Sequence, residues 1–564
     1  MIDKYKIASK NAKETLLSEM NEEGFWRGEL SSSPVSTAVA CIALHFYDKE
    51  LYADKISLGL GYLAKSSLNG GFADALGAKP NPTATILSLC AFNLYSKKYA
   101  KNIEQTKAYL GDGWQEPKSI KASILEIYGD DLTFSAPILA VCAAVGLLGD
   151  NAWNLVPKLP YQLAIIPKKF FALLKLPMVS YAIPALVCVG VCRDFLARGK
   201  VSKFRRKFAE ILLKKISAMQ PKSGGFLEAT PLTAFCAICL IISTFKEHSI
   251  VKNALKFIIK EQNESWAIDT NLCQWLSSLS VDALKADFSE EKRLRLLDFF
   301  EANVWREKHK FTGLIAGGFS WTNTDGGVPD ADDTSGALVA LYYLKGGKSD
   351  ALVENAIKWL LHLQNRDGGM PTFCKGWNKL PFDKSCADIS AHSIKAFSLW
   401  KEHLSGKLKA EVESSILKLL SYVEASQNED GSWQSLWFGE NDLEGGISKV
   451  LSTAIVLDHA GSYLKNSEKA ENFLYVNMHE NGTWGGIDEH SAKYLVTAKC
   501  ISALSKISKK NAKLDLALAH FLTMPEQSEV IGLYFAKLWY SEKLYSKIFG
   551  LNAKENALVY LSKK

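Results

Sequence analysis

Two kinds of apolar segment alternate along the chain. In "IKWLLHL" (Ile357–Leu363) and "ILKLLSYVEAS" (Ile416–Ser426) apolar residues recur at helical spacing with polar ones between them, the pattern of an amphipathic helix with one wet face. In "SSPVSTAVACIAL" (Ser32–Leu44), "NPTATILSLCAF" (Asn81–Phe92), "TPLTAFCAICL" (Thr230–Leu240) and "DISAHSIKAF" (Asp388–Phe397) a polar turn leads into a run of small apolar residues. These predict buried helices capped by Ser, Thr or Asp. Between the two kinds lies a recurring glycine and aromatic signal. Its copies are "MNEEGFW" (Met20–Trp26), "SSLNGGF" (Ser66–Phe72), "QPKSGGF" (Gln220–Phe226), "QNRDGGM" (Gln364–Met370), "QNEDGSW" (Gln427–Trp433) and "MHENGTW" (Met478–Trp484). Glycine ends the outer helix and supplies the backbone angles of the turn. The repeating unit is therefore outer helix, glycine turn, inner helix, with adjacent copies roughly 45 to 65 residues apart, longer than common solenoid repeats.

Small-residue helices pack closely in a ring and amphipathic ones wrap outside it, so the repeats predict an all-α fold of two α/α barrels, or toroids. Inner-helix N-termini converge on one end of each barrel, a natural place for polar chemistry. The expected layout is an N-terminal helix, 1–14, packing on the C-terminal barrel, a first barrel at 15–245 and a second at 246–564. A Pro-rich apolar segment, from about Gly129 to Lys215, interrupts the repeat.

A length of 564 residues agrees with two domains. The net charge of +7 is mild, and no basic block recurs with interleaved aromatics, so nucleic acid is excluded as the expected partner. The most basic piece, "KVSKFRRKFAEILLKK" (Lys200–Lys215), reads first as a solvated helix face and second as a contact with an anionic membrane. Of eleven cysteines only Cys236 and Cys239 have a C-x-x-C spacing, inside a buried-helix pattern, which reads as core packing and a reducing compartment. The first thirty residues carry no apolar h-region, and the longest apolar stretches fall short of the ~18 residues of a spanning helix. A cytoplasmic protein, at most peripheral on the membrane, is expected.

One stretch stands apart, "VPDADDTSGALVAL" (Val328–Leu341), which sets Asp330, Asp332 and Asp333 at the mouth of an apolar helix. In isolation such a cluster reads as a helix cap in a surface loop. Together with Q-x-x-x-G-x-W copies over the whole chain, D-x-D-D-T resembles the bacterial squalene-hopene cyclase family of class II terpene cyclases. The family's acid motif falls on Asp330, Asp332, Asp333 and Thr334, and its D-V-T-A-H element on "DISAH", Asp388 to His392. Cavity-lining aromatics of the family correspond to Trp321, Phe373, Trp437 and Tyr181. The chain departs from the pattern at Ile268 and Val328, where the family carries rings, and is shorter between Tyr181 and Gln220.

The resemblance implies a large apolar cavity between the barrels and an enzyme that protonates an alkene without metal or redox cofactor. Asp332 is the implied donor, with Asp330 and Asp333 polarising or reprotonating it. Clustered carboxylates suit this task, because like charges a few Å apart cannot all ionise and one proton is retained. His392, charged and four residues after Asp388 on the same helix face, would stabilise the carboxylate left behind, with Asp388 orienting the imidazole or favouring its charged form. Ring faces would stabilise the moving cation by roughly 0.5 to 2 kcal/mol each. The implied partner is a hydrophobic isoprenoid, squalene or similar, with a membrane surface and a second copy of the chain as further expectations. Two other readings stand beside this one. A prenyl diphosphate or meroterpenoid cyclase would place the polar head near Lys375, Lys379 and Lys384, and a non-catalytic toroid would only bind.

Overall fold

The computed structural model describes residues 1–129, 132–166, 183–309, 312–376, 381–533 and 538–563. Two compact units emerge, one formed by 30–270 with 324–327, the other by 1–29, 271–323 and 328–564.

The glycine turns share one construction. In all six copies the glycine matching Gly431 of "QNEDGSW" has φ between +87° and +93°. A Cβ at Gly431 would stand 2.5 Å from the Lys469 carbonyl oxygen, so both backbone angle and space demand glycine there. Gln427 Nε2 donates to Gly431 O (2.9 Å), as Gln364 does to Gly368 O (2.7 Å) and Gln220 to Gly224 O (2.9 Å). Where the motif ends in Trp, the indole N–H returns to the preceding helix: Trp26 to Leu16 O, Trp433 to Val423 O and Trp484 to Leu474 O, at 2.7 to 2.8 Å. The amide of the aromatic residue then donates to a Ser or Thr one turn into the inner helix, as Trp433 N does to Thr453 Oγ1 (3.0 Å). A seventh turn of this kind, at Gly317 (φ +115°), directly precedes the acid motif.

In the larger unit the helices Cys273–Leu284, Ala331–Lys345, Ala387–Trp400, Lys449–Ala460, Tyr494–Ile507 and Tyr545–Ser562 each pack on the next, and the last closes on the first. Outside them lie Glu290–Asn303, Ala351–Leu363, Gly406–Ala425, Ser467–Val476 and Ala512–Phe521, with Ile2–Ser18 packed on Tyr545–Ser562. An antiparallel sheet of Phe438–Gly439, Val530–Leu533 and Leu538–Ser541 is added to this barrel, an element with no forerunner in the sequence pattern. The smaller unit closes a ring of five described helices: Pro34–Asp48, Pro82–Asn93, Leu132–Ala144, Ile183–Arg198 and Thr230–Ile242.

Two expectations need correction. The boundary between units falls after residue 270 and not after 245. Helix Ser249–Lys260 packs on Thr230–Ile242 and Pro34–Asp48, and Trp266 ties the segment to both Ile258 and Ser33. The first repeat copy also belongs to the C-terminal barrel, since Trp26 N donates to Ser277 Oγ (3.2 Å). The interrupting segment supplies two inner helices, Leu132–Ala144 with Pro137 inside it and Ile183–Arg198. All eleven cysteines are buried and free. Among the described residues no helix is long and apolar enough to cross a membrane.

Candidate active site

The acid motif opens the helix Ala331–Lys345. Asp330 is its N-cap, extended at φ −137°, ψ 176°, and its carboxylate accepts Asp333 N–H at 2.8 Å. The Asp330 amide bonds Phe319 O and the Ala331 amide bonds Phe373 O, both at 3.1 Å, which fixes the helix mouth to the glycine turn on one side and to Phe373 on the other. Thr334 completes the anchorage: its hydroxyl accepts Phe319 N–H at 3.0 Å, the same contact that Thr453 makes in another turn.

Asp330 is 3% exposed, and burial pushes its carboxyl up to about 7, with the neighbouring charge of Asp332 adding to the effect. A proton is therefore retained in the cluster at neutral pH. Asp332 lies two residues on, in the first turn of the helix, and its Oδ1 is 2.6 Å from His392 Nδ1, an ion pair or short hydrogen bond with both side chains largely shielded from solvent. His392 in turn meets the edge of Trp275 and the ring of His459, at centroid distances of 6.1 and 4.5 Å.

Asp388 does not orient His392. At the first turn of its own helix its Oδ1 accepts the Cys386 thiol (2.8 Å) and Ile389 N–H (3.0 Å). Burial raises its carboxyl, with the charge of Asp332 contributing. Asp388 thus borders the acid as a second carboxyl biased toward its protonated form, while the imidazole takes its position from Asp332.

A narrow cavity runs from these residues into the bore of the barrel. Its volume, about 40 Å³, is small. Asp332, Asp388, Trp275, His459, Lys499 and Phe549 are among the residues that line it, all from the C-terminal unit. The sequence-selected rings form a stack of their own. Phe373 and Trp437 lie parallel at 5.5 Å, and Trp321 is tilted against Phe373 at 6.0 Å. They are not among the lining residues of this bore cavity. Tyr181 lies outside the described residues.

Several site residues carry no sequence signal. Trp275 Nε1 donates to Tyr545 Oη (3.1 Å), which pairs with Tyr540 Oη (3.0 Å). Burial raises the Tyr540 phenol, and the charges of Glu542, Asp333 and Asp332 add to this. His459 and Lys499 sit mid-helix, away from any turn motif, and only the offset between neighbouring helices brings them to the cavity. Chemically, the arrangement is a carboxyl paired with an imidazole, flanked by carboxyls that hold protons, beside a mostly apolar cavity. It can deliver a proton to a weakly basic carbon centre held there.

Comparison with known proteins agrees in kind. Residues 285–531 match the family model of the squalene-hopene cyclase C-terminal domain, and 39–112 that of the prenyltransferase alpha-alpha toroid domain. The squalene-tetrahymanol cyclase of Tetrahymena thermophila is 30% identical over 128 residues, 20% of this chain and 18% of that protein. That match spans less than a fifth of the relative's length. Dammaradiene synthase of Dryopteris crassirhizoma is 23% identical over 532 residues, covering 80% of this chain and 74% of the relative. Among solved structures, ent-copalyl diphosphate synthase from Streptomyces platensis superposes with a TM-score of 0.56 over 99% of both chains at 13% identity, a likeness of fold.

Proposed function

We propose that this chain, which belongs to the class II terpene cyclase family, protonates a terminal alkene of squalene or a similar linear isoprenoid and guides the resulting cation to a polycyclic triterpene. The observation that carries the reading is the Asp332–His392 pair at 2.6 Å, buried beside an apolar cavity. Protonating an alkene yields a tertiary carbocation, so the donor must be strong, dry and loaded. Asp330 and Asp388, biased toward their protonated forms, leave Asp332 as the carboxylate that the imidazolium stabilises once the proton has gone. The parallel rings of Phe373 and Trp437 offer faces to a cation.

The test is incubation of the purified protein in detergent with squalene, followed by gas chromatography of the extract. A cyclic hydrocarbon or alcohol is expected from wild type and none from Asp332→Asn; full activity in that variant would overturn the assignment.

One observation favours a substrate with a polar head. Lys499, 8% exposed, lines the cavity with its ammonium 4.0 Å from the centre of the Phe549 ring. The lysines singled out in the sequence lend no support: Lys375 and Lys384 are exposed, Lys375 donates to His362 O, and Lys379 lies outside the described residues. Turnover of geranylgeranyl diphosphate in place of squalene would decide for this second reading.

A further inference from the structure

Asp388 borders the acid, and the orientation of its carboxyl is set by a residue outside every motif. Cys386, 1% exposed, caps the helix Ala387–Trp400, and its thiol donates to Asp388 Oδ1 at 2.8 Å. Ile389 N–H donates to the same oxygen at 3.0 Å. The sulfur is held from behind, because Leu436 N–H donates to it at 3.1 Å and Ser435 Oγ lies 3.9 Å away. Ser435 Oγ in turn accepts the amides of Trp437 (2.9 Å) and Phe438 (3.0 Å). The thiol thus ties Asp388 to the turn that carries Phe438, another lining residue of the cavity. Burial holds this thiol well above its ordinary range, so the sulfur keeps the hydrogen it donates.

The two oxygens of Asp388 are consequently unequal. Oδ1, which accepts two hydrogen bonds, has the role of a carbonyl oxygen. The proton that burial favours on this carboxyl is left to Oδ2. Oδ2 is buried without a hydrogen-bond partner among the described residues, whereas buried polar atoms are normally paired. Asp388 and Asp332 line the same cavity, and the charge of Asp332 is felt at Asp388.

We propose that Cys386 is a positioning residue of the cyclase: its thiol claims Oδ1 of Asp388 and turns the Oδ2 hydroxyl toward the cavity, to donate to Asp332 once that residue has given up its proton. A neutral donor steadies the new carboxylate, whereas a second ionised aspartate would oppose it. The sulfur therefore acts on the acid through Asp388 and touches neither substrate nor Asp332. The proposal rests on the cyclase reading with Asp332 as donor.

Infrared spectra of the substrate-free protein test the orientation. At pH 7, where an ordinary aspartate is ionised, wild type minus Asp388→Asn should show the C=O band of a protonated carboxyl. In Cys386→Ala the carbonyl oxygen loses one of its two donors, so that band should move to higher frequency, and Cys386→Ser should return it. The S–H band that disappears in Cys386→Ser should lie below those of the other cysteines, as expected of a strong donor; this comparison needs no alanine variant and stands if that variant folds poorly. With squalene, Cys386→Ala should lower kcat about five- to tenfold, the worth of one buried hydrogen bond, with KM unchanged, and Cys386→Ser should keep most of the rate. A missing carboxyl band, a band that stays in place in Cys386→Ala, an undisplaced S–H band, or a serine variant as slow as the alanine one would each overturn the proposal. A wild type that shows the bands and does not cyclise squalene would sink the substrate reading alone.

Discussion

Asp330 is where the ordinary and the catalytic readings of the acid motif meet. It caps its helix as any aspartate would, yet burial lifts it to about 7, so near neutrality it is a reservoir of one proton beside Asp332. Ionising it places a second negative charge against the donor and weakens the donor as an acid. The rate of cyclisation is therefore expected to fall as pH rises through about 7, by roughly tenfold per pH unit for a single essential proton. Asp330→Asn keeps the cap and cannot ionise, so its pH–rate profile should stay flat through that window; a profile identical to wild type would refute the role. The motif aspartates and His392 were legible through the resemblance their motifs carry together with the repeats, since the cluster alone reads as a helix cap. Asp388 was misread: sharing a helix face with His392 counted for less than its place in the first turn, where its own helix amide and the Cys386 thiol claim its oxygen. His459 could not be read at all, since its contact with His392 depends on how far one inner helix is shifted along the next.

At the scale of the element, the glycine turn was the most legible feature, because its geometry tolerates little else. Gly431→Ala must put a Cβ at φ +89° within 2.5 Å of a backbone carbonyl. Gly346, also at positive φ (+57°), would meet nothing within 4 Å. The first substitution should cost well above the ~1 kcal/mol of an unhindered left-handed position and the second about that much, so thermal midpoints should order as wild type, Gly346→Ala, Gly431→Ala. Thr334 belongs to the same construction. Thr334→Val preserves shape but strands the buried amide of Phe319, at a cost of about 1 to 3 kcal/mol. Where the turn motif is absent the sequence fell silent. The inner helices Leu132–Ala144 and Ile183–Arg198 begin without it, and internal proline and unbroken apolarity hide them in what reads as an interruption. The small sheet was equally hidden: its strands are two to four residues long and join segments about ninety positions apart, Phe438 pairing with Leu533.

Over the whole molecule, the C-terminal barrel is closed by residues from both ends of the chain, and Glu542 is one of the pins. It is 1% exposed, and its Oε1 accepts the amides of Glu29 (3.0 Å) and Leu544 (3.1 Å). Its Oε2 is buried without a hydrogen-bond partner among the described residues. Burial raises this carboxyl to about 7 from the ordinary 4.5, against the opposing pull of the two amides. The folded state thus binds a proton that the unfolded chain has released across this interval, and stability falls as pH rises from 4.5 to about 7 and levels off above. The slope from this one group is about 1.4 kcal/mol per pH unit at most. Glu542→Gln keeps an acceptor for both amides and removes the ionisation. Thermal midpoints of the two proteins, taken from pH 4.5 to 8.5, should therefore diverge in favour of the glutamine variant as pH rises. The loss should be felt where the pin holds, with amide exchange in Ile2–Ser18, the helix packed on Tyr545–Ser562, accelerating at pH 8 in wild type and less so in the variant. Parallel curves across the range would mean that Glu542 is ionised when folded and that its two amide bonds outweigh its burial.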